Sequence, residues 1–500
     1  MQMKNILLSL TLLCCTAITT AQTTFSSSIV DKKTNEVIPY ATIQFGEFQG
    51  VITNEEGKFS FSLNEDTKVL DSVVVSSMGY KKLSIAFSDL TDSVIYIEPT
   101  SIELDEVFLF NKELSIEEIM DKVSAQLDQN YNKALAARKL FYRNTAINAL
   151  NRVKVNFKKS SIPEFNEKFI DSVTTLIPKK SEYYTETLAN LYGNYNDQKL
   201  NILKAAELYD KTNDGSMETL SEELETIFNK HVKRNSYIKI KSGLFSQKVQ
   251  LDSILEASED AQELEKEIKE PKKSSILEDR KYAITSLFDG LFFQEKSKLN
   301  MIHKANRYRF QLKDYTTINE ELVYKISFWP KRKADFKGVL YVNANDFAIV
   351  RVDYTNVKSL KRIKLLGISY EETVYKGKTI FGKDANGKYS PRFIEKVLSN
   401  NVGVDRPLKI IEKNKHVKGR NKQNELSLGI DVVNTSTEKH EIVIFNARII
   451  DHNQFKAAKE NKTISATYLS KYNPEFWKGN DIIEPNAAIR NFSASDKQGS

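Results

Sequence analysis

The stretch Thr53-Asn54-Glu55-Glu56-Gly57-Lys58-Phe59 decides the fold of the first part of the chain. The residues from Asn54 to Gly57 predict a hairpin turn, because glycine takes a positive φ without the steric cost of a Cβ atom. From Phe59 to Leu63 the sequence alternates between apolar and polar side chains. Alternation with a period of two is typical of a β-strand that buries one face, so the turn is expected to join two antiparallel strands.

Short runs with the same alternation lie on both sides of this turn. They are Phe25, Ser27 and Ile29; Val73 and Val75; Leu83, Ile85 and Phe87; and Val107 and Leu109. A sheet with one apolar face must cover that face with a second layer. We therefore expect a β-sandwich over residues 22–110.

The order of several short motifs resembles the carboxypeptidase regulatory-like domain. The motifs are Val30-Asp31, Ile38-Pro39-Tyr40-Ala41-Thr42-Ile43, Thr53 to Phe59, Val75-Ser76-Ser77-Met78-Gly79-Tyr80 and Leu104-Asp105-Glu106-Val107. The resemblance implies a small Ig-like or transthyretin-like β-sandwich, of the kind that begins many envelope proteins and TonB-dependent receptors of the Bacteroidota. It implies no catalysis by this domain, because the domain accompanies peptidases and transporters without carrying their chemistry.

Residues 1–21 have the features of a cleavable signal peptide. Lys4 supplies a positive charge, Ile6 to Ile18 form an apolar run too short to span a bilayer, and Thr19-Thr20-Ala21 offers small residues for cleavage before Gln22. The alternative is a buried N-terminal helix. We expect an exported protein, located in the periplasm or on the periplasmic face of the outer membrane.

Composition excludes several classes of protein. With 500 residues, 40% of them hydrophobic and 28% charged, the chain can bury more than one core. Its two cysteines, Cys14 and Cys15, lie in the leader, so the exported chain would form neither a disulfide nor a thiolate metal site. The formal charge of +7 is spread widely along the chain, and we predict no nucleic-acid partner.

The segment from Leu104 to Phe110 allows two interpretations. In the first, it is an extended strand that pairs with a partner protein through Asp105, Glu106, Val107, Phe108 and Leu109. In the second, it closes the sandwich or links it to the next domain. Apolar alternation alone favours the second, because it marks a buried strand.

Residues 111–300 predict a helical or mixed middle region. Ser115-Ile116-Glu117-Glu118 is a capping box, and apolar residues follow at helical spacing as far as Leu127, which predicts a helix from Ser115 to Tyr131. Residues 252–271 are acidic and poor in aromatic side chains. We interpret them as a solvated helix or a disordered insertion.

Residues 301–452 predict a second, curved antiparallel sheet, and the whole chain is expected to be of the α+β class with β structure dominant. Asn343-Ala344-Asn345-Asp346 predicts a turn between two alternating strands. The hairpin around it, Phe336 to Val352, resembles those of periplasmic lipoprotein carriers, which hold acyl chains on a concave apolar face. That resemblance implies a lipid cradle, although a plain structural sheet is the simpler interpretation. In the tail, residues 453–500, Phe476 and Trp477 are expected to anchor the chain onto the body of the protein.

Two sets of residues are candidate binding or modification sites. A candidate patch for an anionic ligand contains Lys409, Lys413, Lys415, Lys418, Arg420 and Lys422, and the alternative is a solvated hairpin loop. Asp-Ser followed by an aliphatic residue resembles the O-glycosylation sequence of exported Bacteroidota proteins. It occurs at Ser72, Ser93, Ser172 and Ser253.

No motif predicts catalysis, a metal or a cofactor. None of the five histidines has Glu three residues on or a second His four residues on, and no Gly-x-Ser-x-Gly motif occurs. The leading hypothesis is a non-catalytic envelope protein that binds or assembles with a protein partner or an outer-membrane component. The alternatives are a lipid or glycan carrier that uses a concave second sheet, and an unrecognised hydrolase of envelope polymers.

Overall fold

The computed structural model describes residues 23–63, 69–90, 94–100, 114–233, 236–250, 276–414, 416 and 421–494. The predicted signal peptide, the candidate partner strand at 105–109 and the acidic segment at 252–271 lie outside these residues. The chain divides into two compact units. The N-terminal unit contains Met1–Pro99 and Asn473–Glu484, and the sheet unit contains Thr100–Tyr472 and Pro485–Ser500.

Strands dominate both units, as the predicted fold class requires. The strands are β1 (Thr23–Asp31), β2 (Thr42–Gly46), β3 (Gln49–Ile52), β4 (Lys58–Leu63), β5 (Val69–Ser76), β6 (Leu83–Ala86), β7 (Ile95–Ile97), β8 (Ala136–Ser160), β9 (Lys180–Gly193), β10 (Gln198–Tyr209), β11 (Tyr237–Ser242), β12 (Phe245–Gln250), β13 (Tyr308–Ile318), β14 (Glu321–Pro330), β15 (Phe336–Asn343), β16 (Ile349–Asn356), β17 (Arg362–Leu365), β18 (Ile368–Lys383), β19 (Tyr389–Lys413), β20 (Lys422–Ile449) and β21 (Thr467–Leu469).

Helices are fewer than strands among the described residues. They are α1 (Ile116–Asn130), α2 (Glu167–Leu176), α3 (Thr212–His231), α4 (Ile276–Asp289), α5 (His452–Ala457), α6 (Pro474–Trp477) and α7 (Ala487–Arg490), with short 3₁₀ turns at Phe87–Asp89 and Ala305–Arg307. Within the described part of the chain, no helix is long and apolar enough to cross a membrane.

The N-terminal unit is the predicted β-sandwich. One sheet has the strand order β4-β1-β7 and the other the order β3-β2-β5-β6. Phe45 from the second sheet stacks on Phe61 from the first, with ring centres 4.4 Å apart, and both side chains are fully buried. The alternating residues therefore meet between the two layers, where burial of apolar surface stabilises the fold.

The turn at Asn54 to Gly57 has the predicted form. Gly57 has a φ of 72°, and the Asn54 side chain accepts hydrogen bonds of 2.9 Å from the backbone N–H groups of Glu56 and Lys58. Part of the tail completes this unit. The backbone N–H of Ser62 on β4 donates to Asp481 at 3.0 Å, and Trp477 in α6 is only 2% exposed.

Among the residues that the structure describes, the sheet unit contains one sheet of 14 strands. Its main path runs β13-β14-β15-β16-β18-β19-β20-β8-β9-β10-β21, while the β11–β12 hairpin pairs with β19, and β17 pairs with β18. The predicted boundary at residue 300 therefore does not separate two sheets, because β8 to β12 come from the middle region. Their neighbours lie far along the chain, as in the pairing of Phe141 with Val443, so local periodicity does not reveal them.

Helices cover part of one face of this sheet, which we call the inner face. Ile326, Leu340, Val352 and Ile394 lie on it in register, and all are at most 3% exposed. Tyr131, which caps α1, stacks on Phe293 at 4.7 Å between ring centres and meets the edge of Phe381 at 5.4 Å. The segment 290–302 buries Phe292, Leu299 and Met301 in the same layer. This part of the inner face is a filled core and not an open cradle.

Candidate functional site

The predicted basic patch lies on the edge of the sheet unit, and the structure extends it. Lys409 and Lys413 are on β19, and Lys422 begins β20, where it forms an ion pair with Glu425. Lys415, Lys418 and Arg420 lie outside the described residues. The β11–β12 hairpin adds basic side chains that lie far from this patch in the sequence and were not part of the predicted patch. The resulting lysine cluster contains Lys239, Lys241, Lys248, Lys409 and Lys413.

Strand register brings these lysines together. Lys241 pairs with Lys409, and Lys239 pairs with Lys248, so like charges face one another across neighbouring strands. Repulsion from Lys241, followed by burial and by repulsion from Lys413 and Lys248, lowers the pKa of Lys239. The cluster is therefore a site of concentrated positive charge.

Two of the candidate glycosylation serines lie in the described residues. The Ser72 hydroxyl on β5 shares a hydrogen bond of 2.7 Å with Ser84, and the Ser172 hydroxyl in α2 donates to the carbonyl of Phe169 at 2.8 Å. Ser93 and Ser253 lie outside the described residues. Glycosylation stays a prediction at all of these positions.

Several polar side chains of the sheet unit have hydrogen-bond or ion-pair partners within the protein. The Tyr142 hydroxyl lies 2.9 Å from Nδ1 of His440, whose Nε2 lies 3.1 Å from Glu438. His231 lies 2.8 Å from Glu164. Among the residues that the structure describes, no three His, Cys, Asp or Glu side chains are placed to hold a metal ion.

A cavity of about 320 Å³ opens on the inner face beside the filled core. We call it the inner pocket. Its walls come from the end of α4, the loop that follows it, Leu360 in the loop before β17, and the facing parts of β18 and β19. The residues that line it include Asp289, Lys296, Lys298, Leu360, Tyr370, Glu372, Val374, Tyr375, Lys396, Leu398, Ser399 and Asn400.

Lys396 is the distinctive residue of the inner pocket. Its Nζ atom lies 5.1 Å from the centre of the Tyr375 ring, and Nζ of Lys298 lies 5.4 Å from the same ring. Glu372 is 3.7 Å from Lys298, but no carboxylate among the described residues forms an ion pair with Lys396. Burial, together with repulsion from Lys298, lowers the pKa of Lys396 to about 8, against a weaker attraction from Asp289.

Gly377 helps to create this arrangement. It pairs with Lys396 on the neighbouring strand, and a Cβ atom at this position would lie 2.6 Å from the Tyr354 hydroxyl oxygen. The absent side chain lets Tyr354 and Tyr375 pack side by side, with ring centres 6.1 Å apart. These rings form the apolar layer beneath Lys396.

A second cavity, of about 550 Å³, lies on the outer face of the sheet over β14 to β19. The carboxylates that line it are already paired with basic side chains. Arg351 lies 2.8 Å from Asp353, while Lys378 and Lys439 lie 3.9 and 3.4 Å from Glu395. Two other lysines of this cavity, Lys337 and Lys376, are exposed to solvent, whereas Lys396 is half-buried. The inner pocket is therefore the stronger candidate for a ligand.

Comparison with known proteins finds a family that matches the N-terminal part of the chain. Residues 25–109 match the CarboxypepD_reg-like domain, which confirms the resemblance carried by the motifs. That domain is a non-catalytic Ig-like domain. No curated protein matches the chain.

Matches to solved structures are remote. One is a domain from Vibrio parahaemolyticus described as an outer membrane lipoprotein-sorting protein, which is 9% identical, with a TM-score of 0.20 over 68% of this chain and 97% of that chain. Another is the outer membrane protease OmpT from Escherichia coli, which is 8% identical, with a TM-score of 0.07 over 62% of this chain and 97% of that chain. Scores this low carry no argument about the fold or function of the sheet unit.

Proposed function

We propose that this protein is a non-catalytic binding protein of the cell envelope and that its inner pocket holds a small anionic compound. The envelope location rests on the predicted leader and on the N-terminal domain, which resembles a domain that begins many envelope proteins of the Bacteroidota. The observation that supports the ligand is Lys396, an ammonium group on the pocket wall that has no ion-pair partner among the residues that the structure describes.

The balance of charge in the pocket favours an anion. Lys296, Lys298 and Lys396 outnumber the two lining carboxylates, Asp289 and Glu372. Holding an unpaired ammonium group away from water costs free energy, and a bound carboxylate or phosphate would offset that cost.

The size and the lining of the inner pocket narrow the range of possible ligands further. Ligand pockets span roughly 300–1,000 Å³, so a cavity of about 320 Å³ suits a compound the size of a monosaccharide better than an acyl chain. Tyr370 and Asn400 offer hydrogen bonds, while Leu360 and Leu398 offer apolar surface. The filled core beside the pocket also favours a small ligand over a lipid carrier's cargo.

Native mass spectrometry of the full chain purified from its own envelope tests this function. We expect the wild-type protein to carry a discrete small adduct, and Lys396→Met to lose it. Lys313→Met, which removes an exposed lysine from β13, is the matched control and should keep the adduct. Glucuronate added to the ligand-free protein, with glucose as its uncharged counterpart, checks whether an acidic sugar raises the melting temperature through Lys396.

The proposal fails if the wild-type chain has its bare mass under conditions in which a known weak complex survives. It fails equally if Lys396→Met retains the adduct while remaining folded. An adduct of acyl-chain composition would instead support the carrier hypothesis.

A further inference from the structure

Two hairpin turns on the sheet unit expose apolar side chains to solvent. At the β11–β12 turn, Leu244 is 87% exposed and Phe245 is 56% exposed. At the β17–β18 turn, Leu365 and Leu366 are 64% and 50% exposed, and Ile368 follows them on the surface. Single exposed apolar residues are common, but a group of large ones at adjoining loop tips marks an interaction surface.

Arg406 on β19 holds the two turns side by side. Its guanidinium donates a hydrogen bond to the carbonyl of Ser242 and lies 4.8 Å from the centre of the Phe245 ring. On its other side, a Cβ atom on Gly367 would lie 2.9 Å from Cγ of Arg406. The Arg406 side chain is 7% exposed, so it is packed between the turns. The two apolar tips therefore form one surface, which we call the apolar tip and define as Leu244, Phe245, Leu365, Leu366 and Ile368.

The β17–β18 turn carries a leucine where the backbone favours another residue. Leu366 has a φ of 49° and Gly367 a φ of 79°, and Leu365 pairs with Ile368 across them. A two-residue turn with both φ values positive favours Asn or Gly, because a side chain of this size is strained there. Half of the Leu366 surface is exposed to solvent, so packing inside the protein does little to offset this strain. Contact with an apolar environment outside the protein would offset the strain at Leu366.

Positive charge lies immediately behind the apolar tip. Lys239 and Lys241 precede the β11–β12 turn, Lys248 follows it, and Lys364 precedes the β17–β18 turn. Lys239, Lys241 and Lys248 belong to the lysine cluster described above, together with Lys409 and Lys413. The lysine cluster therefore adjoins the apolar tip. Leucine and phenylalanine at a protruding tip with lysines behind them match the layers of a bilayer that has anionic headgroups. The apolar groups can enter the acyl boundary while the ammonium groups stay among the headgroups.

We propose that the apolar tip inserts into the surface of a lipid bilayer and that the lysine cluster binds anionic headgroups there. This contact is peripheral. It involves neither the inner pocket nor its ligand, so it can hold or fail independently of the proposed function.

Vesicle flotation with the full chain tests the inference. We expect binding to vesicles of phosphatidylethanolamine and phosphatidylglycerol, with little binding to phosphatidylcholine vesicles and a decline as salt rises. The double variant L244S/L365S should lower the partition coefficient by at least about tenfold, because it removes two apolar side chains from the inserted layer. L176S/L203S is the matched control, since both leucines are exposed elsewhere on the sheet unit. It should bind as the wild type does.

A second pair of variants tests the charge. K239Q/K241Q should weaken binding to the anionic vesicles and reduce its salt dependence, while K304Q/K313Q, at exposed sites away from the cluster, should not. K396M should bind vesicles normally. Unchanged circular dichroism spectra would show that each variant is folded.

Three results would overturn the inference. The first is a wild-type chain that does not float with anionic vesicles. The second is equal binding by L244S/L365S and its control. The third is a wild-type dimer, seen by light scattering without lipid, that L244S/L365S converts to a monomer, since the tip would then be covered by a second copy of the chain.

Discussion

At the scale of single residues, Lys396 makes stability depend on pH. Its pKa in the folded chain is about 8, against 10.5 for an ordinary lysine, so between these values the unfolded chain binds a proton that the folded chain does not. Stability therefore rises with pH across that window, and the charge is a cost below it. We expect Lys396→Met to raise the melting temperature of the ligand-free chain at neutral pH, by an amount that shrinks as the pH approaches 10.5. Calorimetry at several pH values measures this.

The matched variant Lys313→Met should shift the melting temperature equally at all of these pH values. A constant difference between Lys396→Met and the wild type from neutral to alkaline pH would contradict the assignment. Lys396 is not distinguishable in the sequence, because a lysine in a strand of alternating residues resembles any solvated lysine. Its character comes from Lys298, Asp289 and Tyr375, which other elements supply.

At the scale of elements, the sequence predicted the helices and hairpins that contacts between residues close along the chain stabilise. The capping box placed the start of α1 correctly, since Ser115 and Glu118 bond to each other's backbone N–H groups. The hairpin around Asn343 to Asp346 also formed as expected, because β15 and β16 are neighbours in both sequence and space. The pairing of β8 with β20 and of β11 with β19 was not predictable in this way. Those partners depend on long-range register, which no window of sequence contains.

Gly377 and Gly429 provide a matched pair of strand glycines for testing close packing. A Cβ atom on Gly377 would lie 2.1 Å from the carbonyl oxygen of Glu395, whereas on Gly429 the nearest atom is 3.6 Å away. We expect Gly377→Ala to destabilise the sheet unit by about 1–3 kcal/mol. Gly429→Ala should be neutral or slightly stabilising, because alanine restricts the unfolded chain without a clash in the folded one. Urea unfolding of the full chain compares them, and equal midpoints would contradict the packing argument.

At the scale of the whole molecule, neither of the two units is one continuous segment of the chain. The N-terminal sandwich was predictable as a contiguous domain because its turn and alternating strands lie close together in sequence. The contribution of Asn473–Glu484 to this unit was not predictable, because that segment comes from the far end of the chain. Phe476 and Trp477 signalled that the tail is anchored, but an apolar aromatic residue does not specify which surface buries it.

Trp477→Ala tests this long-range completion of the N-terminal unit. The indole is 2% exposed, and nearby Asp481 and Glu484 bond to residues on or beside β4, so losing the indole should loosen the whole segment. Replacing a buried tryptophan with alanine costs about 3–5 kcal/mol. Hydrogen exchange followed by mass spectrometry on the full chain should show faster exchange in β1 and β4 and unchanged exchange in β8 and β20. Glu475→Ala, at a side chain that is 70% exposed, is the control and should alter neither set of strands. Faster exchange in β8 and β20 instead would mean that the segment stabilises the large sheet and that the division into these two units is wrong.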